Sequence, residues 1–291
     1  MQSGYVDSGG LRLYYETRGE GEPLLMLNGG PGFPHDYLEA TELLAADRHL
    51  VFFDQRGTGK SDKADPKEYT VEANVADVEA VRSALGLGRC ALFGHSWGGM
   101  LAQAYASEYP ENVTRLILAD TFSSIGDLNL SLARMRAAVP AETRAVYERH
   151  ERAGLYANGD RYPDEYQDTL EIAYEPVNLG VPATPALEHA FAHLAYDVYR
   201  AMWGERTEFK VTGTLTAFDG LVNFVSLSMP TLVLVGASDM PTVAMAESTA
   251  RHLPDARLEV FEHSRHFPFL EEPDRFFAVV RRFLAEGAAH A

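Results

Sequence analysis

Short apolar runs alternate with amphipathic stretches through the first third of the chain. Leu24-Leu25-Met26-Leu27 and Leu50-Val51-Phe52-Phe53 are too short for helices and too apolar for surface strands, so they predict buried central strands. Val71, Val75, Val78, Val81 and Leu85 recur at spacings of four and three, which places them on one helical face. A strand at Cys90-Ala91-Leu92-Phe93, a helix from about Trp97 and a strand at Leu116-Ile117-Leu118 follow. From Thr121 to Ser228 the rhythm gives way to polar helical tracts, such as Ala141 to Arg152 and Leu187 to Tyr199, punctuated by Pro163, Pro176, Pro182 and Pro185. It resumes with a strand from Thr231 to Gly236, a helix from about Val243, a strand from Leu258 to Phe261, and a closing helix with Phe276, Phe277, Val280, Phe283 and Leu284 inward. Such alternation builds a mostly parallel sheet flanked by helices. The expected fold is α/β, with a core of residues 1–121 and 229–291 interrupted by a helical cap over 122–228.

Composition narrows the function. Across 291 residues, 42 Asp and Glu outnumber 25 Lys and Arg, a formal charge of −17, and no basic cluster offsets it. Nucleic acid is gripped by neutralising phosphates with cations, so no nucleic-acid partner is expected. No window of 18 apolar residues suggests a membrane span, and Met1-Gln-Ser-Gly-Tyr-Val-Asp lacks the basic and apolar regions of a secretory signal. The single Cys90 excludes an intramolecular disulfide. These features predict a soluble, cytoplasmic protein, a monomer or small homo-oligomer.

The sharpest chemical signal is Gly94-His95-Ser96-Trp97-Gly98, a G-x-S-x-G between a predicted strand and a predicted helix. A nucleophilic serine needs a tight turn that lifts its Oγ clear of the sheet, small neighbours that let strand and helix approach, and an N–H at the helix start, here that of Trp97, to hold an oxyanion. It also needs a base oriented by an acid, and on such sheets the chain order is Ser, acid, His. Asp239, three residues past the strand ending at Gly236, is the favoured acid, with Asp120 as the rival. Of the histidines after Asp239, His252 is expected mid-helix and His290 in the tail. His266 is preferred to His263 because it lies deeper in the loop and precedes the apolar Phe267-Pro268-Phe269-Leu270. The second oxyanion donor is expected from Asn28-Gly29-Gly30-Pro31-Gly32, with Gly30 the likelier N–H.

These blocks resemble the proline iminopeptidase family of α/β-hydrolases, which includes the tricorn-interacting aminopeptidase and related amino acid amidases, over nearly the whole chain. Asn28-Gly29-Gly30-Pro31-Gly32 is similar to the family's HGGPG, Asp54-Gln55-Arg56-Gly57-Thr58-Gly59-Lys60-Ser61 to its DQRGxGxS, and Gly94-His95-Ser96-Trp97-Gly98-Gly99 to its GxSWGG. Tyr199 to Gly204 and Thr207 to Leu215 look like its cap segments, and Ser264 to Pro273 like its loop around the catalytic His. The resemblance implies an α/β-hydrolase fold and release of an N-terminal residue, often proline, by a serine mechanism. Glu208 matches a cap glutamate that holds the free α-amine. Met240 stands where an archaeal relative has a second such glutamate, Asn28 replaces the usual His, and Arg265 the usual Gly before the catalytic His. The Met240 departure leaves room for other aminoacyl amides, including removal of an aminoacyl group from a non-peptide amine in natural-product biosynthesis.

The expected chemistry is an acyl-enzyme reaction on a small peptide or aminoacyl amide, with no cofactor. From the residues alone Glu208 is equally a solvated cap glutamate, and Trp97, Trp203, Met202, Phe33 and Phe209 are either an apolar pocket wall or plain core. His189 and His193 stand at i and i+4, but Ala190 replaces the Glu that a zinc protease helix requires, so no metal is expected. Arg56 to Gly59 lacks the first Gly of a phosphate loop. An esterase, lactonase or C–C bond hydrolase remains open because one triad serves many acyl compounds, and so does a non-catalytic ligand-binding relative.

Overall fold

The computed structural model describes residues 1–286; His290, set aside above as a base, lies outside the described residues. Eight strands form one sheet: β1 (Gln2–Ser8), β2 (Leu11–Arg18), β3 (Pro23–Leu27), β4 (His49–Phe53), β5 (Cys90–His95), β6 (Val113–Ala119), β7 (Thr231–Gly236) and β8 (Ala256–Phe261). Their spatial order is β1-β2-β4-β3-β5-β6-β7-β8. From β4 to β8 every pairing is parallel, while β1 with β2 and β2 with β4 are antiparallel.

The apolar runs predict the six parallel strands but not β1 and β2. β1 is the exposed edge strand, and β2, paired on both sides, buries the polar Glu16 and Thr17 among its apolar residues, so no continuous apolar run marks either. Their hairpin turns through Gly9 and Gly10, with φ of +62° and +94°, the backbone that a two-residue hairpin turn demands.

Alternation along the central strands divides the core between the two faces of the sheet. Leu25, Leu27, Val51 and Phe53 join one apolar layer with α1 (Val71–Ala84) and α2 (Trp97–Glu108). Leu24, Met26, Leu50 and Phe52 join the other, with the short helical segment 35–46. Between β6 and β7 the chain forms α3 (Ile125–Ala138), α4 (Ala141–Ala153), α5 (Asp164–Tyr174), α6 (Pro185–Ala192) and α7 (Tyr196–Trp203). The buried side chains of α3, α4, α5 and α7, Leu132, Tyr147, Tyr166 and Leu170 among them, continue the first layer, while Leu187 and Ala190 of α6 join the second.

The expected helix from Leu187 to Tyr199 is two helices. The chain leaves helical geometry between α6 and α7, and there the Ala195 N–H donates to the Gly32 carbonyl at 2.9 Å. A tertiary hydrogen bond to a core loop takes the place of a helical one. After β7 comes α8 (Val243–His252), and after β8 come α9 (Pro268–Glu271) and α10 (Pro273–Ala285). His252 is the last residue of α8, not a mid-helix one, and its side chain is exposed.

Candidate active site

Ser96 joins β5 to α2 with φ +56° and ψ −124°, a conformation that a non-glycine residue adopts only when its surroundings enforce it. The enforcement is local. The Ser96 N–H donates to the Ala119 carbonyl at 3.0 Å, a Cβ at Gly94 would collide with the Gly98 carbonyl, and one at Gly98 with the Leu27 carbonyl. The backbones of β3, β5 and α2 therefore touch, and Ser96 is left half-buried at the carboxyl end of the sheet.

His266 and Asp239 come together as the sequence predicts. The His266 Nδ1–H donates to Asp239 Oδ1 at 2.7 Å, which leaves Nε2 as the basic nitrogen. His263 is exposed, with its backbone N–H bound to Glu272. Burial drives the His266 pKa down to about 4, against a smaller upward pull from the Glu271 charge, so the ring is neutral near pH 7. Ser96 Oγ makes no hydrogen bond to His266 in this structure. Their backbones are linked through the intervening histidine, whose Nε2–H donates to the His266 carbonyl at 2.8 Å.

That histidine, His95, belongs to a relay that the sequence reading missed. The Gly29 N–H donates to the Tyr37 hydroxyl at 2.6 Å, and the Tyr37 O–H to His95 Nδ1 at 2.9 Å. Because Nε2 must donate to a carbonyl, Nδ1 must accept, and this fixes the tautomer. Burial, then the neighbouring His266, hold His95 well below the ordinary histidine range, which keeps it neutral. The relay ties the Gly-rich loop to the backbone of His266. A second tie runs through Gln55, which takes the Trp97 indole N–H at 2.7 Å and donates to the Asn28 carbonyl at 2.9 Å. The block Asp54 to Ser61 was the available signal, and it carries no chemistry by itself.

The loop is pressed against the serine: a Cβ at Gly29 would stand 2.9 Å from Ser96 Cβ. Gly30 has φ +117°, and neither its N–H nor that of Trp97 has an acceptor among the described residues. Asn28 holds the loop by donating to the Phe33 carbonyl at 2.7 Å.

Glu208 is buried rather than solvated. Its carboxylate accepts the hydroxyls of Tyr174 at 2.5 Å, Tyr162 at 2.9 Å and Tyr199 at 2.7 and 2.8 Å, while its backbone carbonyl takes the Trp203 indole N–H at 2.9 Å. Burial raises the Glu208 pKa above the ordinary glutamate value, and the three phenols pull it back. No Lys or Arg pairs with it among the described residues. Tyr199 lies on α7, directly over the loop: the Ala195–Gly32 hydrogen bond and the 3.6 Å from a Cβ at Gly32 to the Tyr199 nitrogen join the two.

The other suggested pocket residues do not gather around Glu208. Phe33 packs edge-on against Phe191, with centroids 5.1 Å apart, and Tyr37. Phe209 packs on Tyr147 with Arg136 over its face. Met202 and Trp97 are core. His189 and His193 stack on each other at 3.9 Å, and His189 pairs with Asp36. Arg265, in place of the usual Gly, reaches the segment between α5 and α6: it donates to the Glu175 and Leu179 carbonyls, while the His266 N–H donates to the Asn178 carbonyl. The segment 175–180 between α5 and α6 is thus clasped to the histidine loop.

A family model described as the alpha/beta hydrolase fold matches residues 22–273. The proline iminopeptidase of Clostridioides difficile is 32% identical over 295 residues, 98% of each chain, and that of Saccharolobus solfataricus is 30% identical over 98% of this chain and 92% of its own. Among solved structures, VinJ superposes with a TM-score of 0.88 at 32% identity, covering 97% of this chain and 98% of its own. The proline iminopeptidase of Mycobacterium smegmatis does so with 0.84 at 31% identity, over 97% of both chains. With the parallel sheet, the strained serine turn and this full-length similarity in hand, the chain belongs to the proline iminopeptidase family of α/β-hydrolases, a family of enzymes.

Proposed function

We propose that the protein is a serine hydrolase that cleaves the amide bond after an N-terminal aminoacyl residue bearing a free amine, and that residues 122–228 act as the cap that recognises this residue. His266 takes the Ser96 proton, Ser96 attacks the amide carbonyl, and the N–H groups of Gly30 and Trp97 hold the tetrahedral oxyanion. His266 then protonates the leaving amine and activates a water that releases the amino acid, while Asp239 fixes the ring and balances the imidazolium. The gap between Ser96 and His266 is compatible with this, since such hydrogen bonds often tighten only when substrate binds.

The observation that carries the reading is Glu208. A buried carboxylate with three phenol donors and no cation among the described residues is a site for a cation supplied from outside. The phenol oxygens can accept as well as donate, so Tyr162, Tyr174 and Tyr199 can share an ammonium with it. The likeness to proline iminopeptidases agrees. Met240 favours a wider range of substrates than peptides, because it stands in the sequence where a second carboxylate would strengthen amine selection.

The test is release of p-nitroaniline from free and N-acetylated aminoacyl anilides of Pro, Ala, Leu, Phe and Gly, with Ser96→Ala as control. Cleavage confined to free amines, and lost in the control, is the expected result. Ester cleavage with no anilide turned over would instead support an esterase.

A further inference from the structure

Behind the Asp239–His266 pair stands a second carboxyl group. Asp120, the residue after β6, is fully buried and has φ +52°, the left-handed region that costs a non-glycine residue energy. Its place is fixed on both sides: its N–H donates to the Leu234 carbonyl at 2.9 Å, and its Oδ1 accepts the Gly236 N–H at 3.0 Å. Asp239 Oδ1 receives two donors, His266 Nδ1–H at 2.7 Å and the Met240 N–H at 2.5 Å. What remains is Oδ2 of each residue, both buried and both without a donor among the described residues. The two carboxyl groups are within hydrogen-bond reach of each other.

Two ionised carboxylates cannot share a dry site at this range, whereas a single proton between them satisfies both orphan oxygens. We propose that Asp120 holds a proton at neutral pH and donates it to Asp239, as a positioning residue that fixes the acid behind His266. Asp120 is the partner that keeps the proton because Asp239 has more donors, two on Oδ1 against one, and because the imidazolium formed on His266 balances charge on Asp239 alone. The groups facing the pair favour protonation: Glu271 on α9 adds negative charge, and no Lys or Arg pairs with either residue among the described residues. Burial, then the Asp239 charge, hold the Asp120 pKa well above the ordinary carboxylate range. The hydrogen bond does two things for the triad. It stops the Asp239 carboxylate from turning about its own axis, which a contact at Oδ1 alone does not, and it stabilises the anion that His266 needs.

The inference rests on the triad reading for its consequence, but its proton can be sought without it. The infrared difference spectrum of wild type against Asp120→Asn at neutral pH should contain the C=O stretch of a protonated carboxylic acid, shifted in heavy water. Wild-type protein with isotope-labelled aspartate should show the same band without any variant. Its absence from both spectra overturns the proposal. Kinetics then test positioning. Asp120→Ala should lower the rate at which a fluorophosphonate modifies Ser96 by about tenfold, and Asp120→Asn should restore most of it, because the amide still donates to Asp239 and still accepts the Gly236 N–H. The wild type should also lose reactivity on the alkaline side as Asp120 ionises, and the Asn variant should lack that limb; identical alkaline limbs would count against positioning by the proton. An unreactive Ser96 with the band present would leave the shared proton standing and fail the catalytic reading instead.

Discussion

At the scale of single residues, the site depends on groups whose charge state is set by burial. Burial holds His266 neutral with its pKa lowered to about 4, and it acts as a base only when unprotonated. Activity should therefore be lost as pH falls through the His266 value, an acid limb that burial pulls down and the neighbouring Asp239 carboxylate pushes up. A rate that does not fall on the acid side would mean that His266 is not the titrating base. Glu208 is exposed to a different test. Replacing it with Gln removes the charge but keeps the size, so KM for free-amine anilides should rise about tenfold or more, as for loss of a charge-assisted hydrogen bond. Ester substrates that lack the amine should change little. Equal effects on both classes would remove Glu208 from amine recognition.

Sequence reasoning at this scale found residues whose type and local context are distinctive. Ser96 is announced by its glycines, and the choice of His266 over His263 rests on the apolar stretch after it. Asp120 was legible only as a rival to Asp239, because both end a strand at the same edge of the sheet. The tyrosines around Glu208 were not legible at all. Tyr162, Tyr174 and Tyr199 come from a loop, the end of α5 and the middle of α7, and no spacing relates them.

At the scale of elements, the core motif Asp54 to Ser61 is a structural clamp. Arg56 makes two hydrogen bonds to Asp77 on α1, at 2.7 and 2.8 Å, and the Ser8 hydroxyl of β1 adds a third donor at 2.6 Å. Asp77 is fully buried. Asp77→Ala would strand the Arg56 charge in the interior and should cost about 3 to 5 kcal/mol, read as a lower midpoint in urea. A loss under about 1 kcal/mol would show that water reaches Arg56. The clasp at Arg265 is a milder joint. Arg265→Ala frees segment 175–180 from the histidine loop, and the expected outcome is a higher KM with a smaller change in thermal stability. Unchanged KM would show that the cap segment is held by the His266–Asn178 and Gly180–Glu271 contacts alone.

At the scale of the whole molecule, charge and layering matter more than any contact. With a formal charge of −17, the protein attracts a substrate that carries an ammonium, so kcat/KM for aminoacyl anilides should fall as ionic strength rises from low to physiological values. A neutral ester should respond less, and an equal response would assign the effect to stability instead. The described residues contain no helix long and apolar enough to cross a membrane. The helices between β6 and β7 are less deeply buried than the sheet: α4 buries only Thr143 and Tyr147, whereas every residue of β5 is buried.

The amino-acid order was enough to specify the parallel strands, the serine turn, the pairing of Asp239 with His266, and the break in strand rhythm where the helices between β6 and β7 lie. Each of these is a local matter, written in apolar runs, in glycines where backbones must touch, and in the chain order that one sheet topology imposes. Folding in three dimensions was needed to settle the edge hairpin's place in the sheet, the split between α6 and α7, the relay from Gly29 through Tyr37 to His95, the tyrosine nest of Glu208 and the meeting of Asp120 with Asp239. All of these join groups far apart in the chain through hydrogen bonds whose strength comes from burial, and burial belongs to the assembled fold rather than to any stretch of sequence.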